Sequence, residues 1–138
     1  MRLEDAFLYI RVADAGGPID ELTGLCRAFI EGGADIIELA AEGAGMDAGA
    51  MAAVSELCRE EEVLFGMLND AELAAERGAD VLRIDANGGP VALARTVAGE
   101  RCRVGRSVAS MDEAVLALEV GVDYLVFEGG GEAAAGLS

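Results

Sequence analysis

Short apolar runs recur along this chain, separated by longer Ala- and Glu-rich stretches with helix-capping residues at their starts. The runs Phe7 to Ala13, Asp35 to Ala41, Val63 to Leu68, Asp80 to Asp85, Arg103 to Val108 and Tyr124 to Glu128 read as six strands. Between them, Asp20 to Glu31, Met46 to Glu61, Ala71 to Arg77 and Pro90 to Val97 read as helices. Asp20 is expected at an N-cap, and Pro90 in a first turn. A capping box, Ser110-Met111-Asp112-Glu113, opens a fifth helix.

Three times a helical stretch closes on glycine and runs through an aspartate into a strand: Gly33-Ala34-Asp35, Gly78-Ala79-Asp80 and Gly121-Val122-Asp123. The aspartates lie about 44 residues apart, the length of two successive βα units. Glycine suits the left-handed residue after a helix, and the apolar run that follows suits a parallel strand buried on both faces. The prediction is an α/β fold of the triosephosphate isomerase (TIM) barrel type, with about six parallel strands.

Length qualifies that picture. A complete eight-unit barrel takes about 200 residues or more, and this chain has 138. A single partial barrel over residues 1–138 is expected, with a Gly- and Ala-rich tail over 129–138. Ten basic residues against 26 acidic ones, a formal net charge of −16, argue against nucleic acid and against anionic membrane surfaces. Neither a spanning segment nor a basic leader with an apolar core is visible, so a cytoplasmic location is expected.

Histidine is absent, and Cys26, Cys58 and Cys102 are far apart, which leaves no zinc-ligand spacing. The cysteines read as small buried hydrophobes. Chemistry would fall to carboxylates, arginine, hydroxyls, backbone N–H groups or a hard metal ion. Strand alternation puts Tyr9 with Arg11, Arg83 with Asp85 and Val126 with Glu128, and turns Glu38 away from Ile37 and Leu39. If the apolar faces meet the helices, Arg11, Arg83, Glu38, Asp85 and Glu128 converge inside the barrel. Such a set is either a paired ion cluster, strand ends reaching solvent, or a polar site at the C-terminal mouth of the strands.

The order of several short motifs resembles thiamine phosphate synthase and the related thiazole tautomerase. They are Leu8-Tyr9-Ile10, Gly33-Ala34-Asp35-Ile36-Ile37-Glu38-Leu39, Leu68-Asn69-Asp70, Gly78-Ala79-Asp80-Val81, Gly105-Arg106-Ser107-Val108-Ala109-Ser110 and Gly121-Val122-Asp123-Tyr124. The resemblance implies a magnesium-assisted transferase of thiamine biosynthesis that joins a pyrimidine pyrophosphate to a thiazole phosphate. It implies substrate contacts at Asn69, Ser107 and Glu38, and metal contacts at Asp70, with Asp85 a substitute for a second aspartate; strand alternation, not the resemblance, adds Arg83 to the expected substrate-binding set. It assigns no catalytic residue. Asp70 equally suits the N-cap of a helix from Ala71, and Ser107 equally suits a small packing residue.

Departures from that pattern are specific. Where the family carries Gln-x-Arg-x-Lys, this chain has Glu38-Leu39-Ala40-Ala41-Glu42; the second metal-binding aspartate falls at Gly88; and Gly130-Gly131-Glu132-Ala133 replaces the Pro-Thr and Lys expected after the sixth strand. Strands 7 and 8 of the pattern have no counterpart. Two functions stay in view: a thiamine phosphate synthase-like protein that binds a phosphorylated small molecule, and a non-catalytic barrel that serves as a binding or assembly module. In either, strands 1 and 6 are unpaired edges carrying Leu8, Ile10, Leu125 and Phe127. A homo-oligomer, or a chain that complements the barrel, is the expected partner.

Overall fold

A computed structural model of the protein describes residues 2–6, 8–12, 18–40 and 48–128. After a 3-10 turn, Leu3–Asp5, the elements alternate without exception: β1 Tyr9–Val12, α1 Ile19–Glu31, β2 Ile36–Leu39, α2 Ala48–Glu60, β3 Leu64–Leu68, α3 Ala71–Arg77, β4 Val81–Ile84, α4 Val91–Ala98, β5 Arg103–Val108, α5 Met111–Glu119 and β6 Tyr124–Phe127. Among the described residues the six strands are all parallel and lie in sequence order in one sheet. Phe7, Ala13, Met46, Glu42 and the 129–138 tail lie outside the described residues.

The two faces of the sheet differ as the alternation predicts. Ile37, Leu39, Phe65, Met67, Leu82, Ile84 and Val104 form the main core with Val54, Leu57 and other residues of the covering helices. On the concave face, Ile36, Leu64 and Val81 make a smaller apolar layer at the N-terminal ends of the strands, closed by Leu3, Tyr9 and Tyr124. The Tyr9 and Tyr124 rings, from the first and last strands, stand 6.1 Å apart across this interior. A side chain at Gly105 would put its Cβ 2.3 Å from the Tyr124 ring, so the bare backbone there gives the ring its place.

The recurring Gly-x-Asp motif proves to be a clamp. Asp35, Asp80 and Asp123 each stand just before an even-numbered strand, and each turns a carboxylate oxygen back onto a backbone N–H at the start of the preceding strand. The acceptor Oδ2 lies 3.0 Å from Leu8 N, 2.9 Å from Phe65 N and 2.9 Å from Val104 N, respectively. In return each aspartate donates its own N–H to the carbonyl of that same residue, at 2.9, 2.8 and 2.8 Å. The preceding glycines, Gly33, Gly78 and Gly121, all have positive φ, which lets the chain turn from helix into clamp.

Two helix starts differ from expectation. α1 begins at Ile19 with Pro18 as its N-cap residue, so Asp20 lies inside the first turn, where its charge faces the positive helix end. Pro90 is likewise an N-cap residue, extended at φ −70° and ψ 136°, and α4 starts one residue later. In both, proline's fixed φ and missing N–H put it at the boundary itself. Ser110 is the N-cap of α5 as expected, its hydroxyl accepting from Glu113 N at 3.2 Å; the Glu113 carboxylate accepts from that hydroxyl at 3.3 Å in place of the backbone N–H of a full capping box.

Cys26, Cys58 and Cys102 are free and buried. Burial pushes the Cys58 thiol up to about 12 and those of Cys26 and Cys102 up to about 11. Folding thus raises these values above the unfolded thiol's value of about 8.5, and the stability they contribute is complete below that pH and lost as pH rises through the folded values. The denaturation midpoint is expected to hold up to about pH 8 and to fall between about pH 9 and 11. Thiol alkylation at about pH 8 should leave all three cysteines of the native protein unmodified.

Candidate functional site

Arg83 is the centre of the interior. It stands on β4 between Leu82 and Ile84, which both face the core, so alternation aims its side chain inward, where it is 3% exposed. Its Nε and Nη2 donate to the two oxygens of Glu38 on β2, at 2.8 and 2.7 Å, in a bidentate pair, and Glu38 is itself fully buried. Its Nη1 donates both to Ser107 Oγ on β5 at 2.7 Å and to Glu128 Oε1, just past β6, at 2.8 Å. Arg11 on β1 also pairs with Glu128, and the Tyr9 hydroxyl donates to Glu38. The network therefore crosses the interior from the first strand to the last.

Burial alone would push the Arg83 guanidinium's pKa down. The hydrogen bonds and charge of Glu38, with Glu128 beyond, outweigh burial and hold it above the ordinary value, so Arg83 is a fixed cation. Tyr9 moves upward too, chiefly through burial and then through the neighbouring Tyr124 and Glu38, so it stays a neutral donor. Four of the five guanidinium N–H groups of Arg83 are engaged within the protein.

The other predicted residues form two separate groups. Asn69, at φ +61° just past β3, donates from Nδ2 to Asp85 Oδ1 at 2.8 Å and accepts from Asp85 N at 2.9 Å, so it latches the loop after β3 to the loop after β4. Asp85 Oδ1 also accepts from Asn87 N at 2.8 Å. Asp85 thus does not join the arginine network as strand alternation suggested. β4 ends at Ile84, and beyond it the pleat no longer directs the side chain. Gly88 packs against the same latch: a Cβ there would lie 2.2 Å from Asn69 Oδ1, so an aspartate at this position is incompatible with the closed loop.

Asp70 is the N-cap of α3, its Oδ1 accepting from Leu73 N at 3.0 Å. That satisfies one of the helix's unpaired N-terminal donors. Asp70→Ala is expected to lower stability by about 1 kcal/mol and Asp70→Asn by only a few tenths, because Asn caps as well as Asp. A denaturant titration of both variants checks this.

Magnesium needs near-octahedral oxygen donors, commonly one or two carboxylates completed by waters and substrate phosphates. Asp70 and Asp85 are each committed to backbone donors, in different local motifs. No cluster of three or more acidic or thiol side chains able to hold a metal occurs among the described residues. Through Oδ1, therefore, Asp70 and Asp85 each serve a backbone N–H, and those atoms form no shared carboxylate pair.

Between these groups, at the C-terminal ends of β4, β5 and β6, lies a cleft of about 260 Å³ lined by Asp85, Asn87, Ser107, Val108, Glu113 and Glu128. Glu38 and Arg83 form its floor network through Ser107 and Glu128. The structure therefore brings Glu38, Arg83 and Ser107 together and joins Asn69 to Asp85, while Asp70, next to Asn69 in the chain, caps α3. Sequence reasoning did not single out the role of Tyr9 on Glu38 or the Asn69 latch. The signal for the latch was a non-glycine residue at a tight strand-to-helix turn, where Asn adopts a left-handed conformation more readily than other residues.

Among the described residues, no helix is long and apolar enough to cross a membrane. A family profile described as thiamine monophosphate synthase matches residues 10–129. A thiamine-phosphate synthase of Saccharopolyspora erythraea is 36% identical over 131 residues, covering 89% of this chain and 58% of its own. That of Thermobifida fusca is 33% identical over 126 residues, covering 89% and 57%. The solved structure of a thiamine phosphate pyrophosphorylase from Pyrococcus furiosus superposes with a TM-score of 0.71 at 25% identity, over 87% of this chain and 59% of its own. The chain thus spans a little under three-fifths of the length of these relatives.

Proposed function

The chain belongs to the thiamine monophosphate synthase family, and from that premise we propose a thiamine phosphate synthase-like protein of the cytoplasm whose cleft takes the heterocyclic end of a pyrimidine substrate. Asn87, Ser107 and Asp85 offer neutral and acceptor groups at the cleft wall, suited to amino and ring-nitrogen groups. Asn69 and Glu38 act by holding Asp85 and Arg83 in position.

The observation that carries this reading is the saturation of Arg83. Pyrophosphate recognition calls for free Arg or Lys donors; of the described cations near the cleft, Arg83 and Arg11 both pair with Glu128, and Arg106 donates through Nη1 to the carbonyls of Asp85 and Gly89. Glu113, Asp85 and Glu128 add negative charge to the cleft wall. The substrate's anionic end meets these carboxylates with Arg83 and Arg11 already paired, which leaves Arg106 as the cation nearest to it, and synthase turnover by these residues alone is not expected.

Calorimetry with the pyrimidine pyrophosphate and with its phosphate-free alcohol tests this, alongside an assay for thiamine phosphate. The alcohol should bind at least as tightly as the pyrophosphate, and no product should form. Tenfold or tighter binding of the pyrophosphate, about 1.4 kcal/mol, would overturn the reading. The second reading, an assembly module, is favoured by one observation: Met111, Val115, Leu116 and Leu118 of α5 and its C-cap residue Val120 are all at least half exposed.

A further inference from the structure

We propose that the cleft between α4 and α5, on the helix side of the sheet, binds a small zwitterion with an apolar body, the chemistry of a free α-amino acid with an aliphatic side chain.

Position separates this site from the cleft at the mouth. On β5, Gly105 packs against the Tyr124 ring and Ser107 meets Arg83, so both face the concave interior. Alternation turns Arg106, between them, into the helix layer. There it shares a cleft of about 240 Å³ with Pro90 and Val91 at the start of α4. The other wall comes from α5. Val91 and Ala117 are buried and make the floor, while Leu116 and Val120, one helical turn apart, stay 63 and 61% exposed at the rim. An occupant that covers them with aliphatic surface removes apolar area from water.

Two opposite charges face this cleft without neutralising each other. Arg106 Nη1 donates to the carbonyls of Asp85 and Gly89, at 3.0 and 3.4 Å, and these bonds fix the plane of the guanidinium. Its Nη2 and Nε have no acceptor among the described residues, and no carboxylate there pairs with it. Glu113, which also lines the cleft, accepts the Ser110 hydroxyl at 3.3 Å through Oε2 and makes no ion pair among the described residues. A carboxylate matches the guanidinium edge, and an ammonium matches Glu113. An anion alone meets repulsion from Glu113, and a cation alone meets repulsion from Arg106. A zwitterion satisfies both.

Size narrows the class further. The cleft holds about eight times the volume of a water molecule, which is room for about eight non-hydrogen atoms. Valine and leucine have that size, and a nucleoside or sugar phosphate is too large. Glu113 also lines the cleft at the mouth, and Arg106 ties down the loop after β4 that carries Asp85. An occupant here therefore touches two groups that shape the mouth.

Nuclear magnetic resonance titration of the intact chain with L-leucine is the test. Isovalerate, isoamylamine and glycine are the comparisons, lacking in turn the ammonium, the carboxylate and the side chain. Leucine is expected to shift the amides of Gly89, Val91, Leu116 and Val120, and to bind at least tenfold more tightly than any of the three. Arg106→Gln should abolish this binding. Glu113→Gln, at an exposed position, should bring isovalerate level with leucine or ahead of it, and it decides the matter should Arg106→Gln fail to fold. No saturable leucine binding up to about 10 mM overturns the proposal, as does equal binding of isovalerate or glycine by the unmodified chain. Shifts of the same amides with protein concentration alone, from two copies meeting at α5, also overturn it and favour the assembly reading. No pyrimidine takes part, so the proposed function stands or falls separately.

Discussion

Replacing Arg83 with Met is expected to cost about 3–5 kcal/mol of stability, the largest loss of any single substitution considered in this protein. The magnitude follows from what is left behind. Glu38 is fully buried, and Arg83 supplies a donor to each of its oxygens; without that cation the carboxylate keeps only the Tyr9 hydroxyl. A buried charge with one neutral partner is far costlier than a missing surface pair. Arg11→Met is the control. Arg11 pairs with Glu128 from a side chain that is 47% exposed, and its loss should cost about 1 kcal/mol or less.

The companion experiment separates charge from packing. In the double variant Arg83→Met with Glu38→Leu, no buried charge is stranded, and a large part of the loss should be recovered. Denaturant midpoints at unchanged slope provide the measurement. A shift below about 1 kcal/mol for Arg83→Met would show that water reaches the network and that the interior is wet at this level.

Alternation explains why the network was readable and also where reading stopped. Inside a strand, each residue's face follows from its neighbours, so Leu82 and Ile84 betray the direction of Arg83, and Ile37 and Leu39 betray that of Glu38. Asp85 lies one residue beyond its strand, and there the pattern carries no direction; its partner, Asn69, sits 16 residues away in another loop. The cavity-making role of Gly105 is a tertiary relation with Tyr124, two elements later, and no local signal marks it. Asp70 was readable as either cap or ligand because both uses ask for the same carboxylate at the same turn; the cap is present, made through Oδ1 to Leu73 N.

The repeated aspartates mark a different limit. Their period announces the βα repeat, but a carboxylate that satisfies an N–H on the strand before it is invisible without the sheet. Asp80→Ala is expected to cost about 2 kcal/mol, because it leaves the N–H of Phe65, a residue 2% exposed, without its acceptor. The same substitution at Asp35 should cost less, since its bond to Leu8 N is solvent-exposed and water can replace the carboxylate. Asp80→Asn, which keeps an acceptor oxygen at the same reach, should recover roughly half of the loss, the remainder being the charge assistance of the bond. Because Asp35 and Asp80 clamp different pairs of strands, their effects should add within about 0.5 kcal/mol in the double variant. Equal costs at the two positions would mean that the carboxylates act through the general charge of the chain and not through the clamp. Unequal costs in the stated order tie the period in the sequence to the register of the strands it connects.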